Sequence, residues 1–537
     1  MRRFLFPLAA LLTLGSLSCG GSKDNTTPTP TAPTPAPIPV VPSPTVTLTL
    51  SQSTVSLGAS STLTWSSTNA TSCAASGAWS GPQAISGTST QTPATSGALT
   101  YTLTCTGAGG TATQSVVLTV VPSPTVTLTL SQSKVSLGAS STVTWSSTNA
   151  TSCAASGAWS GPQAISGTST QTPATSGALT YTLTCTGAGG TATQSVALTV
   201  PIRVEKSSYE NKAVAGEVLG AQTLPNGVQG GNGFAFADFF QDGSYSMVTH
   251  SLEYNPSLGF LPPLKLGNIH FWRNVSGRWV DNTTKILTDN VGCLHPRKAS
   301  VADFNNDGKP DVFIACHGFD APPFPGESPI VLLSQPDDSY KTSIVPVTCF
   351  CHNASTADVN GDGYADVLVT DFGQPFFLIN NKNGTFTRDL TRLPADIRTA
   401  FTAEMIDFAR VGKYDVFLGG HEQETGSKWK ATILPNNGTG NFGTTSRLTL
   451  PSLQGYGFPL DIVYKSGTIY LLRTIDLATN FYGGDAIQKI AYPSLASESI
   501  YQHSGKYSSG TTWITWIIWW QGRIVSLDSM FGVSIPQ

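Results

Sequence analysis

The sequence predicts an all-β chain: a β-propeller with six repeats counted and room for a seventh blade, preceded by two small β-sandwiches. Three observations carry this. The pattern D-x-N-x-D-G-x-x-D occurs at Asp303–Asp311 and again at Asp358–Asp366, each time running into an apolar strand. Weaker starts at Asp238, Asp407, Asp461 and Trp516 join these two at intervals of about 55 residues, a period that marks one propeller blade per repeat. Residues 45–120 and 125–200 are near-copies at an offset of 80, in which Thr54, Leu63 and Val117 become Lys134, Val143 and Ala197.

The expected organisation is a signal peptide over 1–18, a lipidated Cys19 with a Pro/Thr-rich linker over 19–44, sandwiches over 45–121 and 122–201, and the propeller over 202–537. Arg2 and Arg3 precede the apolar run Phe4–Leu17, which is short for a membrane span but right for secretion. Ser16-Leu17-Ser18-Cys19-Gly20 resembles the lipobox of bacterial lipoproteins, with Ser16 where that motif usually has Leu. The resemblance implies acylation of Cys19, a membrane partner through that anchor, and a bacterial cell-envelope location. Ser22–Pro44 is too rich in Thr and Pro to bury a core and reads as an extended spacer.

In each near-copy, apolar and polar residues alternate in short runs such as Val46–Leu50, Ser61–Trp65 and Tyr101–Cys105, separated by turn residues. The run Trp-Ser-Ser-Thr-Asn-Ala-Thr-Ser-Cys resembles bacterial Ig-like modules. Trp65 precedes Cys73 instead of lying between the two cysteines, so a Cys73–Cys105 bridge, and likewise Cys153–Cys185, is expected to join other strands than the antibody pair. Lys134 is the sole charged residue between Thr45 and Val200, which argues against electrostatic recognition. Trp79 and Trp159 are candidates for stacking on a sugar, with packing onto their own domain the favoured reading.

The two acidic loops place side-chain oxygens at positions 1, 3, 5 and 9 and a carbonyl at position 7, a donor set suited to a hard cation. An EF-hand needs Glu at position 12, where this chain has Ile314 and Val369. The loops lie between strands, and the repeats resemble FG-GAP/VCBS repeats of integrin-α-type propellers. That resemblance implies Ca²⁺ as cofactor, held by Asp303, Asn305, Asp307, Lys309 and Asp311, and by Asp358, Asn360, Asp362, Tyr364 and Asp366. A degenerate loop with Asp238, Asp242 and Ser246 is a weaker calcium candidate. Ile202–Glu205 is a candidate strand to close the ring in the last blade, and Trp513–Trp520 a buried inner strand.

The face opposite the loops gathers His250, His295, His317, Asp320, His352, Asp371 and His421 as a candidate ligand face, also able to hold a metal or serve acid–base chemistry. Nine cysteines leave Cys19 over once the rest are paired. Among Cys293, Cys316, Cys349 and Cys351 connectivity is open: Cys293 with Cys351 and Cys316 with Cys349 is one pairing, and a zinc cluster is the other reading. The net charge of −3 implies no nucleic-acid partner. No convincing triad, phosphate loop or dinucleotide fingerprint appears. The sequence therefore reads as a non-enzymatic adhesion or ligand-binding protein for a carbohydrate or protein partner. The alternatives are a metal-dependent polysaccharide-active enzyme and a purely structural envelope protein.

Overall fold

The structure is a computed structural model that describes residues 39–526, apart from 221–232, 256, 258, 260–264, 424–428, 445, 478–479 and 508–513. The expected signal peptide, Cys19, most of the linker and Trp513 lie outside the described residues. The chain forms two compact units, Met1–Val121 and Pro122–Gln537.

The first unit holds a three-stranded sheet (Thr45–Leu50, Ser61–Thr68, Ser86–Gln91) and a five-stranded sheet. Alternation puts Leu63, Trp65, Leu103 and Leu118 inward into one shared core. Trp79 joins that core, its ring 5.3 Å from Trp65 and its Nε1 donating to Thr102 O. It is therefore packing, not a sugar platform, and Trp159 repeats the arrangement against Trp145. Cys73 and Cys105 sit directly opposite on neighbouring strands of one sheet and are bridged, with Cα atoms 4.0 Å apart; Cys153 and Cys185 do the same. The bridge thus staples two strands within a sheet.

In the second unit the second near-copy is followed by six consecutive antiparallel sheets. Five have four strands in simple sequence order, and two strands of the sixth are described. First strands are Ala235–Ala237, Pro296–Ala302, Asn353–Ala357, Ala400–Ile406, Phe458–Lys465 and Ile517–Trp520. Each lies beside the first strand of the next sheet. Trp516 packs against Phe234 and Phe236, bringing the sixth sheet to the first. Second strands such as Asp311–Cys316 and Asp366–Thr370 are buried along their whole length, which is why they read as continuous apolar runs.

A helix over Ser208–Leu219 lies among the first strands, touching those of sheets one to four and six. Ser207 caps it by accepting from Glu210 N. Its buried face carries the polar Ser208, Asn211 and Lys212, whereas Val214 and Val218 on the opposite face are exposed, so the helix lacks the usual apolar-in, polar-out pattern. Asn211 donates to Val301 O, Ser208 Oγ accepts from Thr356 N, and Tyr209 O–H donates to Tyr464 O. Gly216 and Gly220 press on Ile518 and Trp520, where a Cβ would come within 2.9 and 2.5 Å of those side chains.

Three sequence expectations are corrected. Ile202–Glu205 adds no strand to the last sheet, because Ile202 N is held by Asp238 and Glu205 N by Asn211. Asp461 lies inside a first strand, and that strand turns through Ser466 and Gly467, both at positive φ, without an acidic loop. Gln521 and Gly522 make the same tight turn in the sixth sheet. The bridges are Cys293–Cys316 and Cys349–Cys351, with Cα atoms 6.2 and 5.1 Å apart, so neither the Cys293–Cys351 pairing nor a zinc cluster of free thiols forms.

Candidate ligand mouth and acidic loops

The acidic loops join first to second strands. Asp303 accepts from Asp307 N and Gly308 N, and Asp358 from Asp362 N and Gly363 N, so position 1 caps the turn it starts. Asn305 and Asn360 accept from the amides of Asp307 and Asp362, and those two acids accept from Lys309 N and Tyr364 N. Position 9 behaves differently from a simple loop ligand. Asp311 is buried and accepts from Phe304 N and from Ser334 N, at the far end of the third strand. Asp366 accepts from Val359 N and Asn380 N in the same way. These carboxylates bolt three strands together.

The donor set of both loops fits a hard cation. All donors are oxygens; in the first loop Lys309 Nζ turns away to Gln335 O and Asp338, and in the second the exposed Lys382 Nζ stands 3.7 Å from Asp362. Burial first, and then neighbouring carboxylates, push Asp311 and Asp366 up from 3.8 to about 7. A bound cation relieves that cost. The degenerate loop is built otherwise. Asp238 accepts from the amides of Ile202, Asp242 and Gly243, Ser246 Oγ donates to Ala237 O, and Arg273 Nε lies 2.7 Å from Asp242. A guanidinium already supplies the positive charge there, so these residues do not fit calcium.

At the other end of the first strands, residues in or just before all six first strands line one open cleft. Arg297 and Lys298 come from the second sheet, His352 and Asn353 from the third, Phe401 and Thr402 from the fourth. Phe458 and Asp461 come from the fifth, Thr515 and Trp516 from the sixth, and Phe234 from the first. Deeper down, Lys212 of the helix pairs with Asp461, and Lys298 pairs with Glu404. Burial outweighs the mutual attraction of the first pair, pulling Lys212 down and pushing Asp461 up.

The histidines cluster beside this mouth, though not all as ligand groups. His317 Nε2 is 3.0 Å from His352 Nε2, and the His295 ring is 4.9 Å from His317. Asp320 offers an oxygen within 4.8 Å of ligand atoms on His295 and His317. Burial, then the charge of Arg297, pushes His295 down to about 3; burial dominates the downward shifts of His317 and His352 as well. The cluster is neutral at physiological pH. His421 lies across Phe401, stacked on Phe458. Two candidates leave the ligand face. His250 uses both ring nitrogens, with Nδ1 on Ser251 O and Nε2 accepting from Cys293 N. Asp371 accepts from Phe350 N and Phe372 N.

The sequence reading missed Arg297, Phe401, Phe458, Thr515 and Trp516. Their shared signal is position, at or just before the start of a first strand, not residue type.

No curated protein matches the chain. Solved structures similar to it include a structural genomics protein of unknown function from Bacteroides thetaiotaomicron VPI-5482, at 8% identity over 76% of this chain and 96% of that one, TM-score 0.34. A quinonprotein alcohol dehydrogenase-like protein from the same organism is similar at 8% identity over 70% and 96%, TM-score 0.22. An Agrocybe aegerita lectin, solved for its specific recognition of non-reducing terminal N-acetylglucosamine, is similar at 19% identity over 38% and 52%, TM-score 0.24. The FG-GAP-like repeat family matches residues 358–418, one repeat running from the head of the second acidic loop into the second strand of the fourth sheet.

Proposed function

We propose that the chain is an exported, envelope-anchored binding protein. Its six sheets act as blades of a propeller carried on two Ig-like sandwiches, and its ligand, a carbohydrate or a protein, enters the axial mouth. One observation carries the reading: each of the six first strands, or the residues leading straight into it, contributes to that single cleft. A ring of repeats brings equivalent positions together in this way, and the helix packs one face against five of the first strands. The FG-GAP-like match supports an extracellular, β-rich binding role.

Calcium belongs to the opposite end of the strands in this reading. Asp303, Asn305, Asp307, the Lys309 carbonyl and Asp311 would hold one ion, and Asp358, Asn360, Asp362, the Tyr364 carbonyl and Asp366 a second. The ion neutralises crowded carboxylates and so stiffens the loops. Asp311 and Asp366 meanwhile tie those loops to the third strands. Cys19 is the lipid attachment point, followed by the Pro/Thr spacer.

The test is a binding screen of the full chain against glycans and envelope proteins, in calcium, with Phe458→Ala and Trp516→Ala variants beside it. Binding that both variants weaken supports the mouth. Binding that neither variant alters moves the site elsewhere and refutes this reading.

A further inference from the structure

The mouth carries an uneven set of charges. Lys212 is neutralised by Asp461 and Lys298 by Glu404, both pairs largely withdrawn from solvent. Arg297 is left. Among the described residues it makes no ion pair, and its one side-chain contact is Nη1 to His295 Nε2 at 3.4 Å. Its neighbours His295, His317 and His352 are uncharged imidazoles, so they neither cancel nor repeat its charge. Asp320 is near enough for Arg297 to oppose the upward push of burial on its carboxyl, but it stands exposed outside the cleft.

Around this guanidinium the wall is built for a polar ring. Thr515 Oγ1 is shielded from solvent and has no hydrogen-bond partner among the described residues. Asn353, which also lines the cleft, accepts from Lys298 Nζ on Oδ1 at 3.2 Å, and its amide donors have no partner among the described residues. Phe401, Phe458 and Trp516 add aromatic side chains to the lining. A fork of donors, isolated hydroxyl and amide groups, and aromatic side chains together match a sugar ring that bears a carboxylate.

We propose that the axial mouth binds an acidic saccharide of the uronate class, with Arg297 pairing with its carboxylate and Thr515 and Asn353 meeting its hydroxyls. This rests on the mouth being the ligand site, and it adds the charge and class of the ligand.

The test uses the full chain in calcium, titrated by calorimetry with trisaccharides of galacturonate, mannuronate and glucuronate, each beside its methyl ester. At least one free acid binds, and its ester binds about tenfold to hundredfold more weakly, as expected for a lost charge-assisted pair. Arg297→Gln removes the difference between acid and ester, whereas Thr515→Val weakens both forms. Thermal melts of both variants establish that they are folded. If acid and ester bind equally, or if Arg297→Gln leaves the difference intact, the uronate assignment is overturned. If no uronate binds but neutral glycans do and Trp516→Ala abolishes that binding, the assignment fails while the mouth stands. If no glycan of either kind binds, the assignment fails with no support gained for the mouth.

Discussion

Lys134 Nζ lies 2.6 Å from Asp338 Oδ2, in the turn between the third and fourth strands of the second sheet. The one charge in the two near-copies is thus directed at the six-sheet body, and Asp338 is shared with Lys309 of the acidic loop. Burial works against it, but hydrogen bonds from Lys134 and Lys309 hold the Asp338 carboxyl below its ordinary value. Lys134, which stands where the first near-copy has Thr54, thus joins the second near-copy to the second sheet. The backbone approach is close as well: a Cβ on Gly243 would meet Gly177 Cα at 2.5 Å.

Lys134→Thr is expected to lower stability by no more than about 1 kcal/mol, because both groups are over a third exposed and salt screens such pairs. Gly243→Val forces the two backbones apart and costs more. Chemical denaturation of the full chain in low and high salt separates the two: the Lys134→Thr effect fades in high salt and the Gly243→Val effect persists. A Lys134→Thr effect larger than that of Gly243→Val would refute this account of the docking.

Calcium stabilisation should be pH-dependent, with a definite sign. Asp311 and Asp366 titrate near 7 in the fold and near 3.8 unfolded. Their raised values mean that the ion-free fold is most favoured below 3.8 and loses that contribution as pH rises to about 7. The buried histidines act oppositely. His295 is pushed down to about 3 and His250 to about 4, so stability falls as pH drops below their ordinary 6.5. Comparing melts with calcium and with chelator at each pH cancels the histidine part. The calcium increment should be large at pH 7.5 and shrink by pH 5, where the ion must displace protons from Asp311 and Asp366. An increment that does not change with pH would remove these two acids from the ion site.

The loops and the histidines were legible in the sequence for different reasons. Asp303–Asp311 announces itself because a turn that gathers acids needs glycine and short polar residues at fixed spacing. The histidines stand out because the chain has only seven. Asp311 was legible as an acid but not as a bolt, since its partner Ser334 lies at the end of a strand whose register only folding sets. Arg297, Phe401, Phe458 and Trp516 are not of one residue type, and Phe and Trp recur throughout the core, so nothing in composition or period singles them out. Nothing in the sequence sets Glu404 and Lys212 apart from surface charges, because their burial depends on a helix packed against the first strands.

Asn380 shows how adjacent sheets are joined. Its Nδ2 donates to Phe304 O of the second sheet's loop at 2.9 Å and to Ala365 O at 3.0 Å, while Oδ1 accepts from the amides of Lys382 and Gly384. Asn436 repeats this one sheet further on, donating to Val359 O and Tyr414 O. Asn380→Ala leaves buried carbonyls without donors and is expected to cost about 1–3 kcal/mol. Hydrogen exchange should show the loss in both the second and third sheets. Protection lost in the third sheet alone would mean that Asn380 is not a link between them.

The pair Lys212–Asp461 tests what holds the helix among the strands. Both side chains are almost wholly buried, and Asp461 also accepts from Ile517 N, so it touches the helix and the sixth sheet at once. Lys212→Met leaves a buried carboxylate beside Glu404 and is expected to cost about 3–5 kcal/mol. Adding Asp461→Leu removes the stranded charge, so the double variant should recover much of that loss despite having no ion pair. Recovery is limited by the Ile517 amide, which then loses its acceptor. Denaturation midpoints for the two single variants and the double variant close the cycle. If the double variant is less stable than either single one, the pair contributes attraction beyond its burial cost. The helix is then held by charge and not by its packing against Ile518 and Trp520.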